Sequence, residues 1–337
     1  MPGDHDGADD DDHHALTERR LRVALLAGGR SSEHDVSIES ARSVREALDP
    51  ARYEVIDVLI TRDGRWGLEG DTLTALAGFD VVLPILHGPF GEDGTVQGLL
   101  ELAGIPYVGA GVAASALAMD KDLFKKVMRD SGIPVARHHT IRLGDPIDNP
   151  LGYPAFVKPA RLGSSVGISK VHDVEELVAA VALARRHDEK VLVEEAVSGT
   201  EVECGVLGNR VPPPIASLPG RIDTLEHDWY DYASKYEEGG MELVIPPELP
   251  QGTIQLVQQR AVDAFVASEC EGMARVDFFV RDGGEVVVNE LNTIPGFTAT
   301  SVYAKLFEAS GIGYADLLDR LLALALERHE RRSHLEY

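Results

Sequence analysis

Ala274-Arg275-Val276-Asp277 and Asn289-Glu290-Leu291-Asn292 flank Asp282-Gly283-Gly284-Glu285 near the C-terminal end of a 337-residue chain. Apolar residues alternate with polar ones on both sides of the glycines, the pattern of a β-hairpin with one buried face. A two-residue turn at Gly283-Gly284 sets Asp282 against Glu285 and carries that register down the ladder. Asp277 then faces Glu290, and Arg275 faces Asn292, all four on one side of the sheet. Two carboxylates opposed across a ladder repel each other, so the pair invites a cation. Asp277, Glu290 and Asn292 offer three oxygen donors, which suits Mg²⁺, an ion that keeps open positions for phosphate oxygens. A solvated hairpin face would carry the same pattern, and the remainder of the chain has to decide between the two.

The length supports a large core and two or three domains. Hydrophobic residues make up 44% of the chain, and no apolar run approaches membrane-spanning length, so a soluble globular protein without a membrane partner is expected. Cys204 and Cys270 are the only cysteines. That excludes a disulfide framework, fits a reducing cytoplasm, and makes burial the better expectation for both. The first residues lack a basic-then-apolar pattern, so no secretory leader is expected. Six aspartates fall within residues 1–14, and the formal net charge is -24. Residues 1–20 therefore read as a disordered acidic tail, and the charge argues against nucleic acid or an anionic membrane as partner. It does not argue against ATP, because nearby lysines and a metal set the local field at a phosphate site.

Leu21–Ala27 and Tyr53–Ile60 read as strands, Val36–Leu48 as a helix between them, and Val81–Leu86 as a third strand before a helix over Thr95–Ala103. Strands alternating with helices indicate an α/β domain with a parallel sheet over residues 21–109. Gly28-Gly29-Arg30 lacks the GxGxxG spacing, which disfavours a dinucleotide fold. A helix is expected over 119–132, stopped by Gly132, and strands over Ala155–Lys158 and Val191–Glu195. Between them lies Lys158-Pro159-Ala160-Arg161-Leu162-Gly163-Ser164-Ser165-Val166-Gly167, whose glycines and serines let backbone N–H groups approach phosphate oxygens while Lys158 adds a positive charge. Two α+β domains are expected at 110–196 and 197–330, the second ending in an amphipathic helix over Leu317–Leu326.

Five segments in order are similar to bacterial D-alanine–D-alanine ligases of the ATP-grasp superfamily. They are HGPFGEDGTVQGLLELAGIPYVG at 87–109, MDK at 119–121, VKPARLGSSVG at 157–167, YDYASKY at 230–236, and ARVDFFV with VNELNTIPGFT and SVYAKLFEASG after residue 273. The resemblance spans roughly residues 21–328 and implies an ATP-grasp fold, in which two α+β domains sandwich ATP behind an N-terminal substrate-binding domain. It implies cytoplasmic ligation of two D-alanines for peptidoglycan precursors through a D-alanyl phosphate. ATP, two ions of Mg²⁺ or Mn²⁺, and a homodimer belong to the same expectation.

By that match, Lys121, Lys158 and Lys235 meet the phosphates, Glu194 and the backbone near Val197 hold adenine, and Glu201 accepts from the ribose. Glu33 receives the ammonium of the first D-alanine, and His87 lies in its pocket. Ser164 and Tyr236 join Glu33 in tying a loop over the site. Arg275 and the Gly296 N–H stabilise the tetrahedral oxyanion, and Ser301 binds the second carboxylate. Asp277, Glu290 and Asn292 are the metal ligands. The chain departs from the family's usual SMYPKLW at Val302 and Ala304. A ligase with D-lactate or D-serine as acceptor therefore stays open, as does a nucleotide-binding module without catalysis.

Overall fold

The computed structural model describes residues 19–224 and 241–336. The acidic tail up to residue 18 and the Tyr230–Tyr236 segment, with Lys235 and Tyr236, lie outside the described residues.

Strands β1 (Leu21–Gly28), β2 (Tyr53–Ile60) and β3 (Val81–Pro84) form a parallel sheet in the order β2-β1-β3. Val23, Leu25 and Leu83 pack on one side of it and Ala24, Leu26 and Val82 on the other. A central parallel strand is covered on both faces, so β1 is an almost unbroken apolar run. Helices α1 (His34–Ala47), α2 (Thr72–Leu76) and α3 (Thr95–Ala103) supply the connections, followed by α4 (Val112–Met119) and α5 (Lys121–Asp130). The single helix expected over 119–132 is interrupted. Asp120 is extended, and its side chain accepts from Leu123 N–H at 3.1 Å, so it ends α4 and caps α5.

The second sheet contains β4 (His138–Ile141), β5 (Ala155–Pro159), β6 (Ser169–Val171) and β7 (Val191–Glu195) in the order β4-β7-β5-β6, packed on α6 (Val174–Ala184). The third contains β8 (Thr200–Gly208), β9 (Ile215–Ala216), β10 (Gly220–Thr224), β11 (Met241–Val244), β12 (Gly272–Val280) and β13 (Val286–Asn292). Its order is β11-β10-β8-β12-β13, with β9 on β8. Helix α7 (Gln251–Ala267) joins α4 and α5 in one apolar cluster under β8, β12 and β13. Both cysteines are buried in that cluster. Helix α8 (Val302–Ala309) covers the other face, and α9 (Tyr314–Ser333) returns to the first sheet, its Leu317 and Leu321 sharing a core with Leu25 and Leu83.

The β12–β13 hairpin has the expected pairs Arg275↔Asn292 and Asp277↔Glu290, but not the expected turn. Gly284 N–H donates to Arg281 O at 2.8 Å and Arg281 N–H to Glu285 O at 3.0 Å. The loop is therefore the three residues Asp282-Gly283-Gly284, and Gly284 takes the left-handed φ of +81° that such loops require. This moves the register by one residue, so Phe278 pairs with Val288. A bulge between Asp277 and Phe278 takes up Asn289 and moves it back. Two offsets cancel, and both carboxylates remain on one face.

Candidate active site

The second and third sheets enclose a cleft of about 490 Å³. Lys121, Lys158, Ser164, Glu194, Val197, Glu201, Asp277 and Glu290, all expected from the sequence, line it together with Phe156, Ile168, Val202 and Phe279. On the second-sheet side, Lys158 Nζ donates to Glu194 Oε1 at 2.7 Å. Lys125 Nζ stands 2.9 Å from Glu194 Oε2 and donates to Asn289 O at 3.0 Å. Burial by itself raises the Glu194 pKa, but the two ammonium groups outweigh it and hold the carboxyl down at about 2. Lys121 Nζ is 3.0 Å from Glu290 Oε2 and donates to Leu162 O at 3.0 Å. Burial pulls its pKa down, yet Glu290, together with Glu194 and Glu92, more than compensates and raises it. Lys125 was not anticipated, although its spacing of four from Lys121 sets both on one face of α5.

On the third-sheet side, Glu203, Asp277 and Glu290 occupy one row across β8, β12 and β13, because Asp277 pairs in register with both of the others. Arg275 donates from Nε to Asp277 Oδ1 at 2.7 Å and from Nη2 to Asp277 Oδ2 at 2.8 Å. Its Nε is also 2.9 Å from Glu203 Oε2, and Asn292 Nδ2 donates to Asp277 Oδ2 at 2.9 Å. Glu203 was missed. The alternation Glu201-Val202-Glu203 signals that both carboxylates share a face, but its pairing with Asp277 needs the long-range β8–β12 contact. The Asp277 and Glu290 carboxylates in that row, with the Asn292 amide oxygen two residues along β13, are hard oxygen donors that fit Mg²⁺ or Mn²⁺.

The Gly163–Gly167 loop leads from this cleft to the first sheet. Ser164 and Ser165 hold left-handed φ values of 52° and 56°, a costly backbone state for two successive side-chain-bearing residues. Ser164 Oγ donates to Glu33 Oε1. Glu33 is buried before α1, and a Cβ on Gly88 would lie 2.5 Å from Glu33 Oε2, so only glycine fits there. Burial lowers the pKa of the adjacent His87, keeping it neutral. Its Nδ1 donates to Ile294 O at 3.1 Å, and Ser40 Oγ lies 3.3 Å from Nε2. Glu92 holds the same residue by its other backbone group, accepting from Ile294 N–H at 3.1 Å and from Gly88 N–H at 2.8 Å. The His87 loop thus grips the strand-to-loop exit that carries Gly296.

Ser301 is the N-cap residue of α8. Its Oγ accepts from Thr298 N–H at 2.9 Å and lies 3.4 Å from where a Gly296 Cβ would be. Helix α8 reaches this depth because Gly205 has no side chain; a Cβ there would be 2.7 Å from Phe307. Val302 does not line the cleft and is buried in an apolar cluster with Ile222 and Leu306. None of Arg275, Asn292, Glu33, His87, Gly296 and Ser301 lines the cleft itself; Arg275 and Asn292 are linked to its lining through Asp277, and Glu33 through Ser164.

Family models described as D-ala D-ala ligase N-terminus and C-terminus match residues 22–76 with 67–110 and residues 127–323, respectively. A D-alanine–D-alanine ligase of Solibacter usitatus is 48% identical over 93% of this chain and 98% of its own length. Among solved structures, the VanG D-Ala:D-Ser ligase of Enterococcus faecalis superposes with a TM-score of 0.81 at 36% identity, covering 91% of this chain and all 100% of that one. The D-alanine–D-alanine ligase of Bacillus anthracis complexed with ATP gives 0.79 at 28% identity, covering 93% and 99%.

Proposed function

The chain belongs to the D-alanine–D-alanine ligase family, and we propose that its residues divide the reaction between the two walls of the cleft. It is an ATP-dependent ligase that joins two D-alanines into D-alanyl-D-alanine, the dipeptide of peptidoglycan precursors. The observation that carries the reading is the Ser164–Glu33 hydrogen bond. It ties the phosphate loop to the carboxylate that receives an ammonium group, so that a bound amino acid presents its own carboxylate to the γ-phosphate.

Lys121, Lys158 and Lys235 hold the phosphates, and Glu194 and the Val197 backbone hold adenine. Phe156, Ile168 and Phe279 supply apolar walls, and Glu201 accepts from the ribose. Asp277, Glu290 and Asn292 would hold two ions of Mg²⁺ or Mn²⁺, which would neutralise charge on the phosphates. Glu33 and His87 orient the first D-alanine, whose carboxylate oxygen attacks the γ-phosphorus. The bond to ADP breaks, and a D-alanyl phosphate forms. The neutral amine of the second D-alanine, anchored by its carboxylate at Ser301 and the α8 N-terminus, attacks that carbonyl. Arg275 and the Gly296 N–H stabilise the oxyanion, and phosphate leaves. Tyr236, Ser164 and Glu33 hold a loop that keeps water from the acylphosphate.

Val302 packs on Ile222, which supports D-alanine as acceptor because the departure from the family pattern does not line the cleft. Among the described residues no helix is long and apolar enough to cross a membrane, which is consistent with a cytoplasmic enzyme. Mass analysis of products made from ATP, Mg²⁺ and an equal mixture of D-alanine, D-serine and D-lactate tests the assignment. D-alanyl-D-alanine is expected to dominate, and a mostly ester product would overturn it.

A further inference from the structure

Asp277 has a conflict built into it. Both of its carboxylate oxygens accept N–H donors, two from Arg275 and one from Asn292. A divalent ion binds oxygen at about 2.0–2.1 Å when it is Mg²⁺, too close for those donors to remain on the same lone pairs. Three donors already occupy this carboxylate, so a metal at Asp277 competes with Arg275 for it. A guanidinium cannot shed its charge, and in a half-buried site it needs a carboxylate within reach. Glu203 is that carboxylate. It is buried to 4% exposure, one strand over in the same row, with Oε2 already 2.9 Å from Arg275 Nε.

We propose that Glu203 is a positioning residue, the fixed anchor on which Arg275 stays inside the site when the metal takes over Asp277. The inference rests on the metal reading of the hairpin proposed above. Glu203 touches neither reactant; it acts through Arg275. With the glutamate in place, the arginine exchanges one carboxylate for another without leaving the row. Without it, the arginine leans more heavily on Asp277 and competes there with the metal.

The test uses the full chain with Glu203→Gln, which keeps the shape and removes the charge. Free Mn²⁺ is followed by electron paramagnetic resonance during titration in the presence of ATP, with kcat and KM measured in parallel. Supporting residues behind metal ligands typically cost about 10–100-fold in affinity when changed, and Mn²⁺ should bind weaker by that factor. kcat should fall with it, and the loss in kcat should shrink as Mn²⁺ is raised. The decisive arm is the Arg275→Gln background. There Glu203→Gln should shift Mn²⁺ affinity by less than about twofold, because no arginine remains to compete. An equal loss in both backgrounds would show a structural role and overturn the proposal, as would unchanged Mn²⁺ affinity in the single variant. Wild-type protein that binds no Mn²⁺ with ATP would overturn the hairpin metal site itself, and the proposal with it.

Discussion

The two walls of the cleft carry opposite charge for opposite reasons. On the wall formed by α5, β5 and β7, three lysines (Lys121, Lys125, Lys158) surround one carboxylate, Glu194. On the wall formed by β8, β12 and β13, three carboxylates (Glu203, Asp277, Glu290) stand in one row, and Arg275 pairs with the first two. Lys121 spans the gap to Glu290 at 3.0 Å. Neither wall is neutral alone, so each is arranged for a charged ligand, an anion on the first and a cation on the second. ATP with divalent metal supplies both at once. Local excess of charge, facing its opposite across a cleft, therefore says more about function than the overall charge of -24.

Removing charge from the carboxylate wall should have the largest effect. Glu290→Gln should lower turnover by orders of magnitude while leaving the melting temperature nearly unchanged, because it also relieves the repulsion with Asp277. Full turnover at saturating Mg²⁺ would break the comparison. On the lysine wall, Glu194→Gln should act chiefly on stability. It leaves Lys125 and Lys158 buried around a neutral group, a loss of about 3–5 kcal/mol in urea unfolding.

The sign of the pH dependence follows from the same group. Glu194 titrates at about 2 in the fold against an ordinary 4.5, so unfolding takes up a proton between those values. Its contribution is complete above 4.5 and disappears as the pH falls toward 2. The stability gap between wild type and Glu194→Gln should narrow over that window. A constant gap would mean that the lysines are not what hold the carboxyl down.

Arg275→Ala should lower kcat by about 10²–10³-fold, the usual loss for one oxyanion donor, with a smaller change in KM for ATP. An effect confined to KM for ATP would move Arg275 from the oxyanion to the nucleotide. The smallest effect is expected at Val302, on neither wall. Val302→Met should change the ratio of D-serine to D-alanine incorporation by less than about tenfold, within the 1–3 kcal/mol of a methylene-scale pocket change. A larger shift would show that this side chain reaches the acceptor.

Much of the site was legible because its signals are local. Asp277, Glu290 and Asn292 lie on one hairpin, and Lys158 heads the glycine-serine loop into which Ser164 falls. The register there came out as expected through an unexpected route. The three-residue loop at Asp282-Gly283-Gly284 displaced it, and the bulge at Asn289 restored it. Glycine pairs permit both loop lengths, and nothing local announces a bulge. Lys125, Glu203 and Glu92 were not seen, because each is defined by a partner far along the chain: Glu194, Asp277 and Ile294.

The sequence by itself determined the alternation of strands and helices, the hairpin with its opposed carboxylates, and the order of the motifs. These depend on periodicity and on residues within a few positions of one another, where chain geometry leaves little choice. Only the tertiary structure decided how β8 lies beside β12, how Lys125 reaches Glu194, and how Ser164 meets Glu33. Those contacts depend on packing apolar faces from distant segments, as when α9 returns to the sheet that opens the chain. Burial fixes such pairs by excluding water from the space between them, and the sum of many weak contacts leaves no mark at any single position.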